Sequence, residues 1–177
     1  MDNLNLLKYF VKEPERKFYV RELAKLTKKS PTTISKHLST FRSKNLLISR
    51  REYNHLLFKA NTENPLFKTI KLYYNLRNLR EIGLIDYLNK EFNHPEAIIL
   101  FGSFARAEDI PKSDIDILII TQIKRHINLS TFEKKLEHKI QLFLYSKKEI
   151  NKMKFKNKEL INNFVNGIIL EGYWELL

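Results

Sequence analysis

Two aspartates, Asp114 and Asp116, are the residues whose type and spacing point most directly to chemistry. They lie two positions apart in the segment SDIDILII, whose apolar pattern predicts a strand. Because successive side chains of a strand point to opposite faces, both carboxylates share one face, while Ile115 and Ile117 share the other. Proteins bind Mg²⁺ through one or two carboxylates together with substrate phosphates. The pair therefore predicts a magnesium site.

A glycine-serine turn, Gly102-Ser103, follows the apolar run AIILF upstream of the aspartates. Glycine lets a phosphate approach the backbone, and the amides that begin a helix favour anions. Arg106 follows one helical turn later and could reach the phosphates, although a solvated surface arginine is the alternative. Either motif alone is common, but their order and element types make the combination more specific. Together they predict a nucleoside triphosphate bridging the turn and the metal.

The residues GSFAR, followed after a short loop by SDIDILI, resemble the minimal nucleotidyltransferases of the DNA polymerase beta-like superfamily. The resemblance covers about residues 95–170 and implies a small mixed β-sheet flanked by helices. It also implies that Asp114 and Asp116 are catalytic and bind Mg²⁺. Gly102, Ser103 and Arg106 would then contact the triphosphate, for which ATP is the first candidate.

Two positions depart from the pattern of that superfamily. Its third carboxylate lies on the strand next to the Asp-x-Asp strand, where this chain has Gln141 in KIQLFL. A neutral amide cannot act as a general base, and single general bases contribute about 10²- to 10⁴-fold to rates. Glu137 is an alternative acid. The second departure is Ala107, where the superfamily often has glycine after the arginine. The resemblance thus implies a nucleotide-binding shape more firmly than turnover.

The positive charge of the chain is concentrated near its N-terminus. Residues 1–60 carry 14 Lys and Arg against 5 Asp and Glu, whereas residues 61–177 carry 18 against 15. A basic block on an ordered domain indicates a polyanion partner, although a lysine-rich composition alone produces similar surfaces. Cysteine is absent, which is typical of the reducing cytoplasm. The apolar runs are too short to span a bilayer and no signal peptide is indicated, so we expect a cytoplasmic protein without membrane contact.

Three helices and a hairpin are predicted before residue 61. The helices cover residues 4–11 and 20–26 and a segment that starts at Pro31 with Ser30 as its N-cap. The apolar stripe of this third helix consists of Ile34, Leu38 and Phe41. The hairpin strands are predicted at residues 47–51 and 55–60.

This order of elements, with SPTTISKHLSTF, resembles the winged helix-turn-helix of prokaryotic regulators. The resemblance implies binding of double-stranded DNA through the exposed face of the third helix and the tip of the hairpin, at Thr32, Thr33, Ser35, Lys36, Arg50 and Arg51. Leu46 departs from the pattern, because a glycine commonly ends the recognition helix there. The alternatives are a solvated basic face and a module for dimerisation or partner docking.

The fold predicted for the whole chain is α+β, with three parts. Residues 1–62 form the winged helix-turn-helix, residues 63–94 a helical connector with helices at 66–74 and 76–92, and residues 95–177 the nucleotidyltransferase-like domain. Capping boxes are predicted at Ser130–Glu133 and Ser146–Glu149.

Three functions remain open. The first is an enzyme that transfers a nucleotide, such as AMP from ATP, to a hydroxyl on a protein or small molecule, for example an antitoxin that modifies a HEPN-type toxin. The second is a DNA-binding transcription regulator whose nucleotidyltransferase-like domain is catalytically degenerate and senses nucleotide or forms a homodimer. The third is a structural subunit that assembles through its middle helices, Tyr173 and Trp174.

Overall fold

The computed structural model of the chain describes residues 2–52 and 54–175, without the side chains of residues 2–4. The fold is α+β, as predicted, and the chain divides into two compact units between Tyr74 and Asn75. This division lies inside the segment predicted as a connector. In the part of the chain that is described, no helix has both the length and the apolar character needed to cross a membrane.

The first unit contains three strands that form one antiparallel sheet in the order β1-β3-β2. Strands β2 and β3 form a hairpin in which Glu52 pairs with His55. Helix α4 contributes residues to both units. The elements are α1 (Asp2–Lys12), β1 (Phe18–Tyr19), α2 (Val20–Thr27), α3 (Pro31–Ser43), β2 (Leu47–Glu52), β3 (His55–Ala60) and α4 (Pro65–Glu81).

Helix α3 begins and packs as its sequence predicts. The Ser30 hydroxyl accepts a hydrogen bond from the Thr33 amide at 3.2 Å, which satisfies one of the free N–H groups at the helix start. The predicted apolar stripe lies inside the core of the first unit, with the side chains of Ile34, Leu38 and Phe41 buried.

The C-terminus of α3 explains the departure at Leu46. The left-handed residue is Asn45, with φ 56, so the position that favours glycine lies one residue earlier than the sequence pattern suggested. The Leu46 amide donates to the Phe41 carbonyl and the Asn45 amide to the Arg42 carbonyl, both at 2.9 Å. These are the two bonds of a Schellman motif, whose left-handed position accepts asparagine. Leu46 and Phe41 are both buried in the same cluster.

The second unit is built on a four-stranded mixed sheet in the order β6-β5-β4-β7. Strand β5 pairs parallel with β6, whereas β4 pairs antiparallel with β5 and β7. The elements are α5 (Leu84–Glu91), β4 (Ala97–Phe101), α6 (Gly102–Ala105), β5 (Ile115–Ile120), α7 (Ser130–Leu136), β6 (Ile140–Tyr145), α8 (Lys147–Lys156), α9 (Lys158–Val165) and β7 (Ile168–Gly172).

Helices cover both faces of this sheet. One face carries the odd-numbered isoleucines of β5 and packs against the buried residues of α5, among them Ile85 and Leu88. The other face carries Leu118 and Ile120 and packs against the buried residues of α8 and α9. Because successive side chains of β5 point to opposite faces, the strand contributes to two separate cores, and helices pack against both of its faces.

Two local predictions in this unit are wrong. The helices expected at 66–74 and 76–92 divide at Gly83 instead, since α4 continues to Glu81 and Gly83 adopts φ 78. The capping box at Ser130–Glu133 does not form, because Leu129 is the N-cap residue. The Glu133 carboxylate accepts a hydrogen bond from the Ile140 amide at 3.0 Å, so the start of β6 takes the oxygen that the helix was expected to use.

The second predicted capping box, Ser146–Glu149, is present and starts α8. The Lys124 ammonium, followed by the amide and hydroxyl of Ser146, stabilises the charged carboxylate and lowers the pKa of Glu149 to about 2. Because this pKa is lower in the folded state, the Glu149 carboxylate stabilises the fold at pH values above its ordinary pKa of 4.5. The stabilisation is lost as the pH falls towards 2. We therefore expect Glu149→Gln to lower the melting temperature at pH 6 but not near pH 2.

Thermal unfolding between pH 6 and pH 2 measures this effect. Glu159→Gln removes an acid from the first turn of α9 and controls for the change in net charge. If the melting temperatures of Glu149→Gln and wild type differ by the same amount across this pH range, the depressed pKa of Glu149 does not contribute to stability.

Candidate functional site

The glycine-serine turn and the Asp-x-Asp segment meet at one end of the sheet. Phe101, the last residue of β4, pairs with Asp116 of β5, and Gly102 follows directly. Gly102 has φ 71, and a Cβ added there would lie 2.4 Å from the Asp116 Oδ2 atom. The Asp116 carboxylate therefore lies against the backbone of the turn, in the space that a Cβ at position 102 would occupy.

The two aspartates differ in their surroundings. Asp114 is exposed just before β5, whereas Asp116 lies within the strand and is half-buried. Burial, and then the negative charge of Asp114, raises the pKa of Asp116, while the positive charge of Arg106 opposes the shift. Arg106 also pairs with Glu108 at 2.9 Å, where both side chains are about half exposed. Both aspartates and the arginine thus lie within electrostatic reach of one another.

The position expected to carry a third carboxylate lies beside this pair. Gln141 of β6 is the register partner of Asp116 in the parallel pairing with β5, so the two side chains point to the same face. Gln141 is exposed and neutral. Glu137, the alternative acid, lies at the C-terminal end of α7 with φ 61, three residues before β6 begins.

The donor set can be compared with what Mg²⁺ requires. Asp114 and Asp116 bring two carboxylates close together, and the negative charge of Asp114 helps to raise the pKa of Asp116. A bound cation would relieve this repulsion between like charges. Mg²⁺ is commonly held by one or two carboxylates plus substrate phosphates, so the pair fits such an ion. Across the described ranges, no cluster of three or more His, Cys, Asp or Glu is placed to hold a metal. The protein thus offers two acidic ligands.

Comparison with known proteins identifies the family. The family model described as polymerase beta, nucleotidyltransferase, matches residues 83–171, just over half of the chain. The chain belongs to this family. The matched segment contains the whole four-stranded sheet except Gly172 and all the residues of the site described above. Neither the curated proteins nor the solved structures include a significant match.

The nucleotidyltransferase site is supported by polar residues that sequence reasoning missed. The buried Asn75 side chain donates to the Asp109 carboxylate at 2.7 Å and to the Phe104 carbonyl at 3.3 Å. His138 Nδ1 donates to the Ser113 carbonyl at 2.7 Å, and its ring contacts Phe104 edge to face. These bonds hold the segments that carry the turn and the aspartates. A lone Asn within a helix and a lone His before a strand carry no local signal of this role.

The departure at Ala107 also has a structural explanation. Ala107 is buried and adopts φ 55, in the left-handed region where a Cβ costs about 1–2 kcal/mol. The backbone turns sharply here, since the Glu108 amide donates to the Ser103 carbonyl at 2.9 Å. Glycine would adopt this conformation without strain, which accounts for its frequent use there. Alanine therefore retains this turn of the nucleotidyltransferase domain, at the expense of some backbone strain.

We expect Gly102→Ala to impair nucleotidyl transfer more than it impairs stability. The added methyl would collide with the free end of the Asp116 side chain, so the carboxylate must turn away. Gly83→Ala is a matched control, because Gly83 has a similar φ of 78 but an added Cβ there would meet no atom within 4 Å. Both variants should lose about 1–2 kcal/mol of stability from the left-handed φ. Only Gly102→Ala should also reduce transfer, as measured with labelled nucleotide, and equal activity in the two variants would contradict the contact.

Proposed function

We propose that this nucleotidyltransferase transfers a nucleotide from a triphosphate, with AMP from ATP as the first candidate, to a hydroxyl on a protein or small molecule. The observation that carries the proposal is the contact of the Gly102 turn with the Asp116 carboxylate, beside Asp114 and Arg106. Family membership supports the reaction class. A protein acceptor would be consistent with an antitoxin that modifies a HEPN-type toxin.

Each residue of the site has a distinct role in this proposal. Asp114 and Asp116 would hold Mg²⁺, which neutralises charge on phosphate oxygens when it is bound. Gly102, with Ser103 next to it, leaves the backbone open to phosphate oxygens, and Arg106 adds a positive charge nearby. Gln141 cannot accept the proton of the attacking hydroxyl, so we expect slow transfer.

The proposal is tested by incubating the protein with alpha-labelled ATP, Mg²⁺ and candidate acceptors. Label should appear on the acceptor with the wild-type chain and be lost with Asp114→Ala. Absence of label with the wild type, together with no effect of Asp114→Ala, would remove the support for an enzyme. The regulator with a degenerate nucleotidyltransferase domain would then be favoured.

The arrangement of charges in the first unit favours a second function, binding of double-stranded DNA by a winged helix-turn-helix. Four of its acidic residues pair with cations outside α3, among them Glu13 and Glu22 with Arg16, and Glu52 with Lys17. Glu15 likewise pairs with Lys59. The exposed face of α3, in contrast, carries Thr32, Thr33, Ser35 and Lys36. Such groups suit contacts with phosphates and base edges.

Replacing Lys36, Arg50 and Arg51 by glutamine should weaken duplex binding. Each phosphate contact contributes about 0.9 to the slope of log affinity against log salt, so the slope should fall by about 2.7. Arg50 lies 3.8 Å from Glu52 but is 81% exposed, so we expect this pair to compete little with a phosphate. Fluorescence anisotropy with a labelled duplex measures the slope.

The control replaces Lys90, Lys134 and Lys135, which are exposed in the second unit. If both triple variants lose the same affinity for the duplex, Lys36, Arg50 and Arg51 do not form the DNA-binding surface.

A further inference from the structure

Helix α8 presents a continuous row of cations with an aromatic ring. Lys148, Lys152 and Lys156 recur every fourth residue, and Phe155 lies beside the last two, so all four share one face. We call these four residues the lysine stripe. Successive lysines are about 6 Å apart along the helix axis. The three lysines are exposed and have no ion-pair or hydrogen-bond partner within the described residues, and Phe155 is 85% exposed.

The opposite face of α8 fixes the direction of the lysine stripe. Ile150 is 1% exposed in the core beneath the sheet, and Met153 packs against the same cluster. The acid of the helix, Glu149, is engaged by the Ser146 amide and by Lys124 at 2.8 Å. Because its carboxylate binds these groups, Glu149 does not neutralise the positive charge of the lysine stripe. Residues 147–158 contain six lysines and this one acid, which makes the segment strongly basic.

We propose that the lysine stripe binds single-stranded nucleic acid. A row of unpaired lysines attracts a polyanion and releases its counterions. An exposed aromatic ring beside such a row can stack on an unpaired base, whereas a duplex hides its base faces. The combination of Lys148, Lys152 and Lys156 with Phe155 therefore selects a single strand over a duplex. This surface goes beyond the proposed transfer reaction and does not depend on the aspartates.

An acidic membrane is the other polyanion that lysines and an aromatic residue can recognise. Interfacial helices insert a broad apolar face into the lipid boundary. In α8 that face is already used, because Ile150 and Met153 pack in the core. Phe155 is the exposed aromatic of the helix, which favours stacking on a base over insertion into lipid.

Anisotropy with a labelled 20-nucleotide oligouridine tests the proposal in the full chain. The chain should carry Lys36→Gln, Arg50→Gln and Arg51→Gln, so that the first unit contributes little. Adding Lys148→Gln, Lys152→Gln and Lys156→Gln should reduce the salt slope by about 2, at about 0.7 per contact for a single strand. Phe155→Ala should weaken binding about 5- to 150-fold and leave the salt slope unchanged.

Matched variants separate this surface from charge in general and from catalysis. Replacing Lys90, Lys134 and Lys135 removes the same charge from the same unit and should leave binding near that of the parent chain. Asp114→Asn with Asp116→Asn should bind oligouridine as the parent does, even if transfer is lost. The proposal is overturned if the stripe variant and the control variant lose the same affinity for oligouridine, or if Phe155→Ala binds oligouridine as tightly as the parent chain does. It is also overturned if the chain does not bind oligouridine but binds vesicles rich in phosphatidylserine through the lysine stripe.

Discussion

Asp116→Asn should reduce nucleotidyl transfer by at least about 10³-fold, because a bound metal contributes several kcal/mol of transition-state stabilisation and each 1.36 kcal/mol is tenfold. The substitution keeps the size of the side chain but removes the charge next to Gly102 and Asp114. Of the two proposed ligands, Asp116 is the half-buried one and the one that lies against the Gly102 turn, so we expect its substitution to reduce transfer more than Asp114→Asn does. Initial rates with alpha-labelled ATP measure both.

The stability of the same variant distinguishes a lost site from a lost fold. Burial, and then Asp114, raises the pKa of Asp116, so the charged form destabilises the folded state. For a raised pKa, the favourable contribution is present below the ordinary value of 3.8 and is lost as the pH rises through the folded-state pKa. At pH 7 without metal, Asp116→Asn should therefore leave the melting temperature unchanged or slightly higher. A melting temperature well below that of the wild type would assign the loss of activity to unfolding.

Gln141→Glu should increase transfer at least about 10-fold, towards the 10²- to 10⁴-fold that a general base contributes. Gln141 is the register partner of Asp116, so the new carboxylate would share a face with the existing site. Glutamate has nearly the shape of glutamine, and Gln141 is exposed, so the backbone has no reason to move. The variant supplies the third acid that the family pattern places on this strand. Initial rates of transfer from alpha-labelled ATP measure the gain.

A control and a second measurement make the result independent of the acceptor. Gln122→Glu adds the same charge at the other glutamine of the chain, in the exposed loop beyond the far end of β5. Like charges on neighbouring strands are destabilising, so Gln141→Glu should lower the melting temperature without metal. Mg²⁺ should raise its melting temperature more than that of the wild type, because binding to the folded state stabilises it. If Mg²⁺ stabilises both glutamate variants equally, Gln141 does not face the metal site.

The two departures from the family pattern have opposite consequences. Ala107 adopts the left-handed backbone that glycine usually supplies, so the turn is kept at the expense of strain. Gln141 keeps its place beside Asp116 and changes the chemistry, because an amide is neither a base nor an acidic ligand. The turn beside the aspartates is thus retained, and we expect the rate of transfer to depend on the side chain at position 141. Gln141→Glu addresses that side chain directly.

Local signals in the sequence determined much of the fold. The continuous apolar run AIILF indicated β4, Ala97–Phe101, and alternation in β5 placed Ile115 and Ile117 on the face opposite Asp116. Pro31 after Ser30 placed the start of α3, because a capping residue and a fixed φ act on neighbouring residues only. The resemblance to the nucleotidyltransferases placed Gln141 on the strand next to the aspartates, and in the structure Gln141 is the register partner of Asp116.

The tertiary structure decided contacts between residues far apart in the chain. Asn75 bonds to Asp109, 34 positions away, and His138 bonds to Ser113, 25 positions away. Glu133 was expected to cap its own helix but bonds to a strand amide, since packing of β6 brought a competing donor to it. Local propensity cannot rank such alternatives, because their energies depend on which segments the folded chain brings together. The contact of Gly102 with Asp116 is of the same kind, and it turns two separate motifs into one site.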